Sequence, residues 1–542
     1  MSNFDIIVIG SGSAGSIMAS KLADQSNLKI LILEAGPKDL NPIIKIPLGY
    51  GMTFFNKKIN WNFYSSSQSN LNNREIYFPR GKVVGGSGSI NAMVYTRGLR
   101  TDFQNWSNSK NNEWSIENIE KTYNEMEKNI IVTDKDSANN KITVNDVSAA
   151  HHKILDNYFR GSKELNLSVL KKFNDFELNG VGNYNITTRN GYRWSAADGF
   201  LKPSLKKNNI KLITNANVHK LIIKDHKVIG VEYMRNGSIH IERANIGVVI
   251  SAGAIKTPQL MMLSGIGPEK LLKEKGVDIE FANDNVGANL QDHLGIDYLY
   301  KSKIPTLNQS LGNISGRIKS IIQYCLFRNG PLSLSLNQGG GFIKWKNKKN
   351  YPNLQIYFNP LTYSITYKNK RPLLKTDKFS GFIIGFNSCR PKSTGFVNIK
   401  SNNINDDPTI NPNYLSEKED IYDLECAFDF VRSLSNTKAI KEVTIKPINI
   451  DPANSSNEVL IDHFKNTASS IYHPSCTCKI GSDKSNSVVS HRLKVHGIKN
   501  LWIADASIFP NIPSGNINAP VMMSAFMGSQ IILEDIKKID EN

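Results

Sequence analysis

Five cysteines in 542 residues are too few and too scattered for a disulfide scaffold, and they fit a reducing compartment. Nowhere does the chain hold the ~18 consecutive apolar residues that a membrane-spanning helix needs. The first residues, MSNFDIIVIGSGSAG, lack a basic n-region and an apolar stretch ending at a small-residue cleavage site, so the expectation is a cytoplasmic protein without a cleaved signal. Metal ligands are also scarce. Cys476 and Cys478 form a C-x-C pair, but no second Cys or His pair at ligand spacing joins it, and no metal is expected. Acidic residues are outnumbered, 48 Asp and Glu against 66 Lys and Arg, for a net charge of +18. That balance raises nucleic acid and anionic membranes as partners. The lysines are dispersed among Asn and Ile, with no helix-length basic run and no basic patch interleaved with aromatics, so nucleic acid is not expected. Peripheral contact with the inner face of the cytoplasmic membrane stays open.

What is present describes a folded protein. Hydrophobic residues make up 40% and charged residues 21%, with a mean hydropathy of -0.33, which excludes collagen-like, disordered and multi-span membrane classes. The apolar run Asp5 to Ile9 opens into Gly10-x-Gly12-x-x-Gly15, then the helical pattern SIMASKLAD, then a second apolar run ending in Glu34, 24 positions after Gly10. This is a βαβ unit of the kind that binds an ADP moiety. Gly10 allows the tight turn, Gly12 lets the backbone approach a pyrophosphate, and Gly15 lets helix and strand pack closely. The helix N-terminus faces the phosphates with unpaired N–H groups, and Glu34 is placed for ribose hydroxyls.

IKLITNANV (210–218), the hairpin-like VHKLIIKDHKVIGVEYMRNG and the apolar IGVVISAGAI (246–255) extend the same sheet. Residues 130–150 and the stretch KWKNKKNYP read as exposed loops. Mixed helix and strand patterns over 305–470 mark a second domain. No internal repeat is visible. Two further segments invite chemistry: Arg80–Leu99, with its GGSGSIN loop, and Gly253–Gly267, a small-residue turn followed by a helix that stops at Ser-Gly-Ile-Gly.

Those two segments match the two signatures of the glucose-methanol-choline (GMC) oxidoreductases, which the whole chain resembles. The match takes in the glycine fingerprint, Asn60-Trp61, GGSGSIN, Gly191-YRWSAA, the SGIG segment, Asn285-VGANLQDH, Asn411-PNYLS and the block from His473 onward. The C-terminal block is most similar to choline dehydrogenases and their alcohol dehydrogenase relatives. The resemblance implies an α/β fold in which a Rossmann-like FAD domain is interleaved with an α+β substrate domain on an antiparallel sheet. Residues 1–304 would be mainly FAD-binding, with excursions near 41–77 and 150–205; 305–470 would be mainly substrate-binding, and 471–542 would return to the FAD domain.

It further implies FAD held by Gly10, Gly12, Ser13, Ala14, Gly15, Glu34, Ala35, Val84, Gly86, Asn91, Ala92, Val94, Val218, Ala252, Asp505, Ala506 and Asn518. His473 and Asn516 match the active-site pair. Chemistry supports such a pair independently. Hydride loss from an alcohol requires removal of the hydroxyl proton, for which imidazole titrates in the right range, and a second group to donate to the alkoxide. Trp61 and Tyr472 would line the substrate pocket. Two departures matter. Asn91 stands where some family oxidases attach FAD through histidine, which favours non-covalent FAD. Gln338 stands where choline-specific members place a carboxylate, which favours a neutral alcohol over a quaternary ammonium. The implied reaction is oxidation of a primary alcohol to the aldehyde, with electrons passed to a quinone-like acceptor. An oxygen-using oxidase, a fatty-acid photodecarboxylase, raised by Cys389-Arg390, and a non-catalytic flavoprotein remain as alternatives.

Overall fold

The computed structural model describes all residues except 1–2, 105, 108–111, 130–140, 348–349, 369–370 and 541–542. Strand β1 (Phe4–Ile9), helix α1 (Ser13–Asp24) and strand β2 (Ile30–Glu34) form the expected βαβ unit, with β1 and β2 parallel. Every residue of β2 is buried, as in a parallel strand covered on both faces. The strand Ile210–Thr214 pairs parallel to the outer edge of β2. On the other side lies the 13-residue strand Ser238–Ile250, which serves two sheets in one. Its second half runs parallel to β1 and, from Val248, to Leu501–Ile503. Its first half is antiparallel to Lys227–Arg235, which in turn pairs with Asn217–Lys224. Helix α2 (Gly253–Leu263) follows at once, and the C-terminal helix Asn518–Asp540 packs along α1.

The second sheet is antiparallel throughout, in the order Thr444–Pro447, Leu294–Ser302, Gly381–Ser388, Leu354–Asn359, Gly339–Ile343, Gly180–Asn183, with Ser469–Ser470 also paired to Leu294–Ser302. Its side chains alternate as a half-covered sheet requires. Tyr298, Tyr300, Phe358, Phe382, Ile384 and Phe386 join a core with Leu424, Phe428 and Val431 of the helix Lys418–Asn436. Asp297, Leu299, Tyr357, Asn359 and Ile383 line a cavity instead. That cavity, of about 1590 Å³, lies between this face and the carboxyl ends of the parallel strands, where open α/β sheets bind ligands.

One loop expectation needs correction. Residues 130–140 of the first stretch lie outside the described residues, but Ile142–Val144 is a buried strand parallel to Glu127–Asn129. Three β-branched residues in a row favour that pairing over an exposed loop. The described part of KWKNKKNYP is irregular, as expected.

Candidate active site

Three segments distant in sequence converge at the carboxyl end of β1. Gly10 has φ +94°, and a Cβ on Gly15 would sit 1.9 Å from the Gly10 carbonyl oxygen, so the first turn tolerates no side chain at either place. The glycine loop lies directly against it: Gly86 has φ +55°, and a Cβ there would meet the Gly12 Cα at 2.7 Å. From the other side Ser13 Oγ donates to Asn518 Oδ1 at 2.6 Å, at the start of the last helix. Glu34 is held by Ser11 N–H and Oγ at 2.9 and 2.8 Å and by Gly36 N–H at 2.8 Å. Asp505 accepts from Gly253 N–H, Thr257 Oγ1 and Ser507 N–H at 2.8, 2.6 and 2.8 Å, tying the start of α2 to the C-terminal block. The result is an open groove of bare backbone and helix N-termini, which suits a dinucleotide diphosphate. At about 1590 Å³ the cavity exceeds the ~300–1,000 Å³ of an ordinary small-ligand site, leaving room for a substrate beside the dinucleotide.

The groove runs to a chain of hydrogen bonds whose direction is fixed from one end. His293 Nε2 is 3.0 Å from the Cys389 carbonyl oxygen. A carbonyl only accepts, so this nitrogen carries the proton and, in the neutral ring, Nδ1 carries the lone pair. His473 Nδ1 lies 2.9 Å from that lone pair and must donate to it. The remaining nitrogen of His473, Nε2, is therefore the unprotonated one, 3.2 Å from the Asn516 amide Nδ2. Gln355 Nε2 donates to Asn516 Oδ1 at 3.2 Å, which keeps the Asn516 amide N–H groups directed at His473. The site thus presents a base lone pair and an N–H donor side by side.

Electrostatics keep the pair neutral. Burial, then His293, then Arg80 hold the His473 imidazole well below its usual range, and burial lowers His293 to about 4. The backbone at this point is strained. Tyr472 has φ +68°, a left-handed conformation unfavourable for an aromatic residue. Its N–H donates to Ser470 Oγ at 2.7 Å, its carbonyl accepts from Arg80 Nη2 at 2.6 Å, and His473 N–H donates to Asp292 at 2.6 Å. These bonds over-determine the turn that aims His473.

Nineteen of the site residues expected from sequence line the cavity, among them His473, Asn516, Asn518, Ala252, Val218, Ala35, Ala92, Val94, Ala506, Trp61 and Tyr472. Gly15 and Val84 are buried behind its wall, Gly15 in the packing of α1 and Val84 with its N–H bonded to the Pro37 carbonyl. Gln338 is the correction. It does not line the cavity; its Oε1 accepts the His152 N–H at 2.8 Å on the far side, while Asn337 takes the cavity position. The turn before Gly339–Ile343 sets this register, and sequence alone did not show it. Trp61 does line the cavity, but its ring already carries the ammonium groups of Lys82 and Lys256, at 4.4 and 4.7 Å. Cys389 and Arg390 stay outside the lining; Arg390 pairs with Asp102 at 2.8 Å.

Three functional residues escaped the sequence reading. His293 sits inside the quoted QDH motif and looked like any other histidine. Arg193, in the quoted YRWSAA motif, is fully buried and bonds Asn91 Oδ1, Asn91 O, Gly88 O and Ile44 O at 2.8, 2.7, 3.2 and 2.9 Å, fixing the glycine loop. Asp297 opens into the cavity near Tyr363, Tyr472 and Tyr50, with only the Tyr363 hydroxyl, at 3.5 Å, as a partner among the described residues. Enclosure raises its carboxyl to about 6.

Comparison with known proteins agrees with this geometry. Two family profiles, both described as GMC oxidoreductase, match residues 4–295 and 391–525. An alcohol dehydrogenase [acceptor] of Pseudomonas putida is 35% identical over 99% of this chain and 96% of its own length. An oxygen-dependent choline dehydrogenase of Vibrio vulnificus is 32% identical over 98% and 94%. Among solved structures, a formate oxidase aligns with a TM-score of 0.89 at 23% identity over 99% of both chains. Pyridoxine 4-oxidase from Mesorbium loti aligns with a TM-score of 0.85 at 24% identity over 98% of this chain and 99% of that one. These two structures speak to the fold alone.

Proposed function

The chain belongs to the GMC oxidoreductase family, FAD enzymes acting on CH–OH donors, and from that membership and the site geometry we propose that it oxidises a primary alcohol to the aldehyde at His473 and Asn516. The observation that carries this reading is the fixed direction of the hydrogen-bond chain, which leaves a lone pair on His473 Nε2 beside the Asn516 N–H donor. FAD, when bound, supplies the acceptor for the hydride of the alcohol carbon. A hydroxyl inserted between His473 and Asn516 gives its proton to Nε2 and accepts a hydrogen bond from the amide, which stabilises the developing alkoxide. As His473 becomes cationic, its Nδ1–H donates more strongly to neutral His293. That makes His293 a positioning residue. Asn91 has its amide oxygen bound by Arg193 and by the Met93 N–H and offers no nucleophile, so the FAD is read as non-covalent.

The apolar and aromatic wall favours a neutral alcohol, and the alcohol dehydrogenase similarity favours a quinone-like acceptor. Asp297 supports a second reading. With Gln338 turned away, this cavity carboxylate, close to several tyrosines, is the group that would attract an alcohol bearing an ammonium. Anaerobic flavin bleaching against choline, betaine aldehyde and short, long and aryl alcohols separates the two. Bleaching by long aliphatic alcohols at low concentration supports the first reading, and bleaching by choline alone the second. Hydrogen peroxide formed in air in step with alcohol consumption would replace the quinone acceptor by oxygen.

A further inference from the structure

We infer that helix α3, Ile314–Phe327, docks the protein on an anionic lipid bilayer. A surface helix ordinarily buries its apolar stripe and shows water its polar face. This one is inverted. The residues it turns inward are Ser320 and Tyr324, whose hydroxyl donates to the Gly191 carbonyl at 2.9 Å. Outward stand Ile314, Ile318, Ile321, Ile322, Leu326 and Phe327, between 52% and 77% exposed. The spacing of Ile314, Ile318, Ile321, Ile322 and Leu326 places these five on one side of the helix, and Phe327 stands at its exposed C-terminal end. Among the described residues these six belong to a group of fifteen widely exposed large apolar side chains, so the exposure is concentrated here and not scattered, the mark of a contact surface.

Charge identifies the occupant. Arg317 and Lys319 lie on the helix, Arg328 caps its end, and no acidic residue lies between Ile314 and Arg328. A second copy would bring the same three cations against themselves, whereas an anionic bilayer takes the apolar ridge and the cations together. Among the described residues no helix is long and apolar enough to cross a membrane, so α3 lies in the plane of the interface. Arg317, Ile321 and Leu332 also line the active-site cavity, which places its mouth beside the ridge. If alcohol oxidation is the reaction, a lipid-dissolved substrate or acceptor reaches the site from the bilayer without crossing water.

The test is flotation of the full-length, flavin-loaded protein with phosphatidylcholine vesicles with and without phosphatidylglycerol, together with the variant Ile318→Ser/Ile322→Ser/Leu326→Ser. None of these three residues lines the cavity. The wild type should float with the anionic vesicles, and the variant should lose on the order of tenfold or more in partitioning, while its flavin bleaching by a soluble alcohol stays unchanged. Failure of the wild type to bind, or equal binding by the variant, overturns the proposal. So does a wild-type dimer in sedimentation that the variant abolishes, which would give the face to a second copy. Vesicle binding lost in the variant, with no alcohol bleaching either protein, upholds the docking surface and sinks the alcohol reading alone.

Discussion

At the scale of single residues the active site is an argument about where protons sit. A base that must be neutral loses activity as pH falls through its pKa. The His473 imidazole is held well below its ordinary range by burial, His293 and Arg80, so kcat/KM should stay flat through pH 6.5 and decline only at more acid pH. An acid limb centred near 6.5 or above would show that the base is another group, or that His473 is solvated. Asp297 gives a second residue-scale prediction. Its folded carboxyl is raised to about 6, so its ionised form opposes folding above that pH and the opposition fades as pH falls. Asp297→Asn should therefore raise Tm at pH 8, with the gain gone by pH 4. If the substrate is cationic, the same variant raises KM with little change in kcat; for a neutral alcohol both stay near wild type. His473 and Asn516 were legible because an ordered motif surrounds them. His293 and Asp297 were not: their roles depend on a carbonyl and a cavity face contributed by strands far away in sequence. Gln338 misled because one residue of register at a strand start decides which side chain faces inward.

The elements repeat this division. The βαβ unit and the hairpin 217–235 were readable from apolar runs and glycine spacing, because local periodicity sets them. The double use of Ser238–Ile250 was not, since its first half pairs with one neighbour and its second with others. Contact between the two glycine-rich turns was also invisible in sequence, and it carries a sharp consequence. A methyl group on Gly86 would meet the Gly12 backbone at 2.7 Å, where no flexible side chain can yield. Gly86→Ala should give a folded protein with little or no flavin, read as a loss of the 450 nm to 280 nm absorbance ratio at unchanged far-UV circular dichroism. Full flavin content in that variant would mean that the loop stands elsewhere in the holoenzyme.

The two seven-stranded sheets close over the active-site cavity, so ligand and fold are thermodynamically linked. A cofactor that binds only the folded state adds roughly 2.7 kcal/mol at a hundred times its Kd. Flavin-stripped protein should melt several degrees lower than the holoenzyme and recover on adding FAD, and acid denaturation should release the flavin intact into the supernatant. Flavin retained on the precipitated chain would instead establish a covalent bond. The family architecture was legible in the sequence because its motifs recur in order along nearly the whole chain. The surface was less so. The lysines are dispersed and form no basic run in the sequence, and only the fold shows that an acid-free stretch carries a helix with its apolar side turned outward.

The central claim is that His473 takes the hydroxyl proton. Its most direct test is anaerobic reduction of bound flavin by alcohol in wild type and His473→Ala, at matched flavin content. The wild type should bleach rapidly, and the variant should lose at least ~100-fold in rate. Bleaching at the wild-type rate in His473→Ala would contradict the claim.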